Sequence, residues 1–251
     1  MTTDELGRYL YCVVQPESTT GLALKGIESR AVSMVADGDL GVLVSPSAVK
    51  RYRLSRQYTL AHEAVIEQAM AAGTVLPIKF GTVAETETAI IEKVLHERGD
   101  DLRRLMAEMR NRVEVGVKVL WVQERIYADV VERSPDIREL RDRLAGLPAS
   151  EGYYDRVRLG EMVEAELTDR RQEDAEVVME ALSPLAIDTR RNDVYGEMMI
   201  LNAAFLIDRD RTTEFEAAVE AVDKKMGGLV TIKYVGPLPP FNFVDLVITW
   251  N

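Results

Sequence analysis

Two histidines, one cysteine and many carboxylates are the side chains of this 251-residue chain that could do acid–base, metal or nucleophilic chemistry. His62-Glu63 opens like the helical zinc signature in which a second imidazole four residues on completes a ligating face, but position 66 is Ile. His96 stands in the charged run His96-Glu97-Arg98 and reads as exposed, and a two-histidine site would need 62 and 96 to meet in space. A single cysteine rules out an intrachain disulfide and a cysteine-cluster zinc site. Cys12, inside Tyr9-Leu10-Tyr11-Cys12-Val13-Val14, reads as a small buried hydrophobe. Glu161, Glu164 and Glu166 lie on a segment already rich in charge, which suits a solvated helix face better than an acid–base pair. Gly73 and Gly81 lack the spacing of a phosphate-cradling loop, and no serine has the nucleophile-elbow context. No catalytic, cofactor-binding or metal-binding residue is assigned, and nothing here positively indicates an enzyme or a cofactor.

What stands out instead is two clusters of proline with apolar residues. The first is Thr74-Val75-Leu76-Pro77-Ile78-Lys79-Phe80-Gly81-Thr82-Val83. It follows Gly73 and reads as a short buried strand, a glycine turn and a new helix from about Glu85. Proline cannot donate to a strand ladder, so Pro77 belongs on an edge, at a bulge or with its nitrogen turned away from a partner. The second is Gly236-Pro237-Leu238-Pro239-Pro240-Phe241-Asn242-Phe243, which the prolines keep extended. Two compatible readings stand side by side. In one the tail is packing, covering an edge strand or sealing a domain interface. In the other, Pro77, Phe80, Pro237, Pro239, Pro240, Phe241 and Phe243 form a protein-docking surface, since extended proline and aromatic segments bind with little ordering cost.

Composition narrows the partners. The net charge of -11 argues against non-specific nucleic-acid binding and against docking on an anionic membrane. An apolar fraction of 47% is ordinary for a folded chain. No run approaches the roughly 20 apolar residues of a membrane span. Met1-Thr2-Thr3-Asp4-Glu5 lacks a basic leader, so a cytosolic location is expected.

The elements that must hold these clusters are read from periodicity. A buried strand at 8–15 is followed by a loop, then a hairpin of 31–36 and 41–45 turned by Asp37-Gly38-Asp39, with Pro46 closing its second strand. Ser55 caps a helix to about Ala72 with Tyr58, Ala61, Val65, Ala69 and Ala72 on its apolar side. After the first proline cluster a helix covers about 85–112, which unbroken would be about 40 Å long; Gly99-Asp100 is the place for a kink. Val113, Val115, Val117, Val119 and Trp121 alternate along a strand, with Glu114, Gly116 and Lys118 on its other face. Helices at 124–132 and 135–144 precede a long one at 153–182, with Tyr154, Val157, Met162, Leu167, Val178 and Leu182 apolar, Arg170 among its wet-face residues, and Glu166–Arg170 as a favourable pair. Strands at 185–190 and 198–207, a helix at 212–226, a strand at 230–235 and a last apolar stretch at 244–250 complete the chain.

This order predicts an α+β protein of two domains with a tail. The N-terminal domain, 1–112, is a modified ferredoxin-like unit whose first helix is replaced by the loop at 16–29. The C-terminal domain, 113–235, has the βαββαβ order of a ferredoxin-like sandwich with a helical insertion at 124–148. Residues 236–251 form an extended proline-rich tail.

The landmarks resemble the gas vesicle protein F/L family. The matching stretches are Tyr9–Val14, His62-Glu63, Val75–Thr82, Val115–Val119, Leu159-Gly160-Glu161, Asn202–Leu206 and Gly236–Val244. Where the family usually carries Tyr-Asn-Phe after the prolines, this chain has Phe241-Asn242-Phe243. The resemblance implies two α+β domains and a non-enzymatic minor component of the gas vesicle, cytoplasmic during assembly. It also implies partners: the small hydrophobic shell protein, whose aggregation it would limit, and other accessory proteins, with no nucleic acid and no lipid membrane. The reading set against it is a ferredoxin-like regulatory protein that binds a small molecule, which fold alone cannot support.

Overall fold

A computed structural model describes residues 6–19, 21–48, 51–148, 151–248 and 250. The opening stretch Met1–Glu5 lies outside them. The chain forms two compact units: Met1–Glu114 with Asp208–Asp210 and Gly236–Asn251, and Val115–Ile207 with Arg211–Val235.

The first unit is built on β1 (Gly7–Val14), whose residues from Tyr9 to Val14 are fully buried, as the unbroken apolar run requires. It pairs antiparallel with β3 (Leu40–Ser47) on one side and with β4 (Val75–Pro77) on the other. β2 (Ser33–Asp37) pairs antiparallel with β3, giving the order β2-β3-β1-β4. A second short strand, β5 (Val83–Ala84), also pairs with β1. β3 runs through Pro46 rather than stopping at it: β2 has ended by Val44, so only β1 flanks the proline. Pro77 takes the edge position that its missing N–H demands.

Helix α1 (Arg56–Ala72) starts where Ser55 accepts the N–H of Tyr58. Its buried stripe is His62, Val65, Ile66, Ala69 and Met70, turned from the predicted one so that the histidine faces inward and Ala72 outward. The long helix expected over 85–112 is divided. Thr86 caps α2 (Glu87–Ile90), a wider π-type turn spans Ile91–His96, and α3 (Gly99–Glu108) begins anew at Gly99. The chain then reverses at Asn111, which holds a positive φ of 56°.

The second unit carries a sheet of order β7-β8-β6-β9, from β6 (Arg112–Trp121), β7 (Asp188–Arg191), β8 (Met199–Asp208) and β9 (Val230–Leu238). β7 and β8 run antiparallel. Between β6 and β7 come α4 (Gln123–Arg133), α5 (Pro135–Ala145) and the 30-residue α6 (Tyr153–Leu182); α7 (Thr212–Lys225) lies between β8 and β9. β9 extends three residues beyond its predicted end, because the extended backbone that proline favours is also strand backbone.

Two expectations about α6 fail. Tyr154 and Val157, assigned to its core side, are exposed: only from Asp174 onward does the helix bury residues fully. Arg170 is not on the wet face and does not pair with Glu166; it is largely buried and pairs with Asp174 at 2.8 Å and Asp129 at 3.2 Å. Asp174 in turn accepts the Trp121 indole N–H at 2.7 Å, joining α6 to β6.

This buried network predicts a stability ranking. Asp174→Ala leaves the Trp121 indole N–H without its acceptor and Arg170 with Asp129 alone, and urea unfolding should show a loss of about 2 kcal/mol. Arg191→Ala, which removes an exposed pair with Glu176, should cost less than about 1 kcal/mol.

Candidate functional site

The chemistry-bearing groups of the first unit converge on the first proline cluster. β4 and β5 both pair with β1, and the chain between them leaves the sheet as a turn. Thr82 N–H donates to Lys79 C=O at 3.3 Å, and Thr82 Oγ1 donates to the same oxygen at 2.7 Å. Gly81, third in the turn, has a φ of +86°, a conformation that costs a side-chain-bearing residue strain. Ile78 N–H donates to Tyr11 C=O, and Leu10 N–H to Thr82 C=O, so the turn is anchored at both ends to β1.

β1 carries a bulge there. Leu10 faces Val44 and Cys12 faces Leu43, leaving Tyr11 as the extra residue. A bulge re-aims side chains, and both Tyr9 and Tyr11 pack on His62 at ring separations of 5.7 Å, one edge-on and one stacked. Phe80 closes the cluster edge-on against Tyr9 and His62. The hydrogen bonds follow one direction. Gly81 N–H donates to Tyr9 Oη at 3.0 Å, and Tyr9 Oη lies 3.1 Å from His62 Nδ1. A neutral imidazole satisfies this by accepting the Tyr9 O–H at Nδ1, which leaves its own proton on Nε2. Burial pulls the His62 pKa down to about 4, the Ile78 backbone only partly opposing it, and burial pushes the Tyr9 and Tyr11 hydroxyls up. Tyr11 Oη in turn bonds Ser45 Oγ at 2.8 Å and accepts the Ile27 N–H at 2.9 Å.

The second proline cluster is fixed by one carboxylate. Glu114, on the face of β6 that alternation leaves polar, is buried, and accepts both the backbone N–H and the side-chain Nδ2–H of Asn242, at 2.7 and 2.6 Å. Burial pushes its pKa up and the two Asn242 bonds draw it back. Beyond this clamp, among the described residues, the tail shows no strand where one is predicted over 244–250; residue 249 lies outside them. Val244 and Leu246 are buried, and a parallel bridge, Leu246 to Ile78, joins the tail to the first cluster.

Of the seven residues predicted to dock a partner, Pro77, Pro239 and Pro240 are buried, Phe80, Phe241 and Phe243 are half-buried, and Pro237 is exposed. His96 pairs with Asp37 on the surface at 2.7 Å, away from the His62 cluster's chemistry. Cys12 is buried, which pushes its thiol pKa up and keeps it protonated. The arrangement can orient backbone and hold a turn; its polar atoms are spent on one another. Tyr9, Tyr11, Glu114 and Asn242 were not singled out from the sequence. The signal for the tyrosines was their spacing of two in a fully apolar strand.

Two outcomes follow. Because the folded His62 pKa lies below that of an unfolded histidine, the unfolded chain binds the extra proton between the two values. Its stabilising contribution is therefore present above about pH 6.5 and is lost as pH falls toward about 4, by about 2 kcal/mol at pH 5. Glu114, with its raised pKa, works in the opposite sense. The loss should appear as the difference between wild type and His62→Gln in denaturant melts at pH 7 and pH 5. Asn242→Ala leaves Glu114 with the backbone N–H alone; it should cost about 1–2 kcal/mol and speed proteolytic clipping within 239–248, read by mass spectrometry.

The model of the family described as gas vesicle synthesis protein GvpL/GvpF matches residues 7–245. Gas vesicle protein F of Microcystis aeruginosa (strain PCC 7806) is 30% identical over 245 residues, covering 96% of this chain and 99% of that protein. Among solved structures, the crystal structure of GvpF from Anabaena sp. PCC7120 superposes with a TM-score of 0.81 at 29% identity, covering 96% of this chain and 99% of that one. That of GvpF from Microcystis aeruginosa gives 0.76 at 30%, covering 96% and 100%. With the match running nearly from end to end, the chain belongs to the GvpL/GvpF family of gas vesicle proteins.

Proposed function

We propose that the chain acts in gas vesicle assembly as a minor vesicle component. In this reading it binds the small hydrophobic shell protein and other accessory proteins, and limits aggregation of the shell protein before it is built in. Family membership supports the setting. The observation that carries the binding role is the state of the two proline clusters: they are held rigid by buried polar groups, yet Phe80, Phe241, Phe243 and Pro237 keep side-chain surface. A preorganised apolar surface loses little entropy on binding, which suits a partner that must be met before it aggregates. On this reading Pro77, Pro239 and Pro240 set the backbone, and the phenylalanines and Pro237 make the contact.

We further infer that both units are variants of one ferredoxin-like plan. In support, each sheet places its strands in the same order, second-third-first-fourth along the chain. Among the described residues the first unit has short 3-10 turns, Pro16–Thr19 and Ile27–Ser29, where the second has α4, α5 and α6.

Capture tests the function. Tagged protein from vesicle-forming cells should co-purify with the shell protein; recovery in neither vesicles nor shell-protein complexes would sink the reading. Phe241→Asp with Phe243→Asp should weaken capture by about tenfold or more with an unchanged thermal midpoint. A lowered midpoint would assign the tail to the fold instead.

A further inference from the structure

The second unit carries a groove distinct from both proline clusters. It lies along α6, walled by α4, α5 and the turn at Gly196-Glu197, and encloses about 1020 Å³. Its floor is mostly apolar, from Leu144, Leu159, Val163 and Leu167. It follows α6 from Arg156 to Arg171, a length of about 22 Å at the helical rise, and it is partly open to solvent. A slot of these proportions suits a helix of about four turns.

Two observations point outward. Gly160 sits in the middle of α6 on the groove, and a Cβ added there would meet nothing within 4 Å. Glycine is a poor residue for a helix interior, and this chain's own packing does not require one here. A missing side chain on an open groove lets another backbone approach closely. The second observation is charge. Among the described residues, Arg156 and Arg171 have no carboxylate partner. Arg156 reaches only the carbonyls of Leu147 and Pro148, at 3.4 and 3.3 Å. Arg171 lies over the Trp121 ring and donates to the Glu197 carbonyl, while its buried Nε has no partner. The lining also holds Glu164, Glu197 and an Arg141 already paired with Asp142, so the positions complementary to a partner's carboxylates are the two guanidiniums of Arg156 and Arg171.

We propose that this groove seats an amphipathic helix of a partner protein, with its apolar stripe on the floor, its flanking carboxylates on Arg156 and Arg171, and its backbone closest at Gly160. This is the helix-in-groove mode of recognition. It does not depend on the docking role given to the proline clusters.

Two designed helical peptides of about 16 residues test it on the full-length chain by fluorescence anisotropy. Both carry the same leucine stripe, one flanked by glutamates and the other by lysines. The glutamate peptide should bind at least about tenfold more tightly than the lysine peptide. Arg156→Glu should erase that preference. Gly160→Trp should abolish binding, and Gly160→Ala should raise the thermal midpoint of the free protein while weakening binding. The proposal is overturned if the glutamate peptide does not bind saturably, if both peptides bind alike, or if Gly160→Trp binds as wild type does. It is also overturned if the free chain forms a dimer that Gly160→Trp disrupts, since the occupant would then be a second copy.

Discussion

A buried imidazole that has to stay uncharged is the constraint on which the first unit turns. Taking a charged histidine out of water is costly, so burial favours the neutral ring, and a neutral ring has one donor and one acceptor. Tyr9 Oη engages the acceptor, Nδ1. Because the Tyr9 proton then points at the ring, its oxygen is left to accept the Gly81 N–H. One protonation state thus sets the direction of two hydrogen bonds, and those bonds tie the ring to the turn that interrupts pairing between β4, β5 and β1.

The tail obeys the same logic with a carboxylate. Proline removes donors from the segment at 237–240, so few backbone bonds can fix it, and the next residues must supply them. Asn242 does so with two N–H groups on one buried acceptor. A bidentate amide on a carboxylate has one good geometry, and an apolar residue in place of Glu114 would remove the acceptor that both Asn242 donors share. Two buried polar groups therefore specify the conformation of the two proline-rich stretches, and the apolar residues beside them are presented in a fixed arrangement.

Much of this frame is legible in the sequence because the signals are local. The alternation from Val113 to Trp121, the Ser55 cap, the Asp37-Gly38 hairpin and the edge placement of Pro77 each rest on neighbours a few residues away. What was missed depends on distant partners. Glu114 reads as a solvated residue until Asn242, 128 positions away, covers it. His62 looks like half of a metal motif until Tyr9 and Tyr11, far away in sequence, close on its ring. The exposed first half of α6 misled for a different reason: Tyr154 and Val157 follow helical spacing, but periodicity reports which residues share a face, not whether anything covers it.

A neutral His62 that accepts from Tyr9 organises the first proline cluster. Nitrogen-15 NMR of the two ring nitrogens measures this directly. At pH 6 His62 should be neutral with its proton on Nε2, and the same signature should still dominate at pH 5. A ring that titrates near the unfolded value of about 6.5, or one that carries its proton on Nδ1, would contradict it.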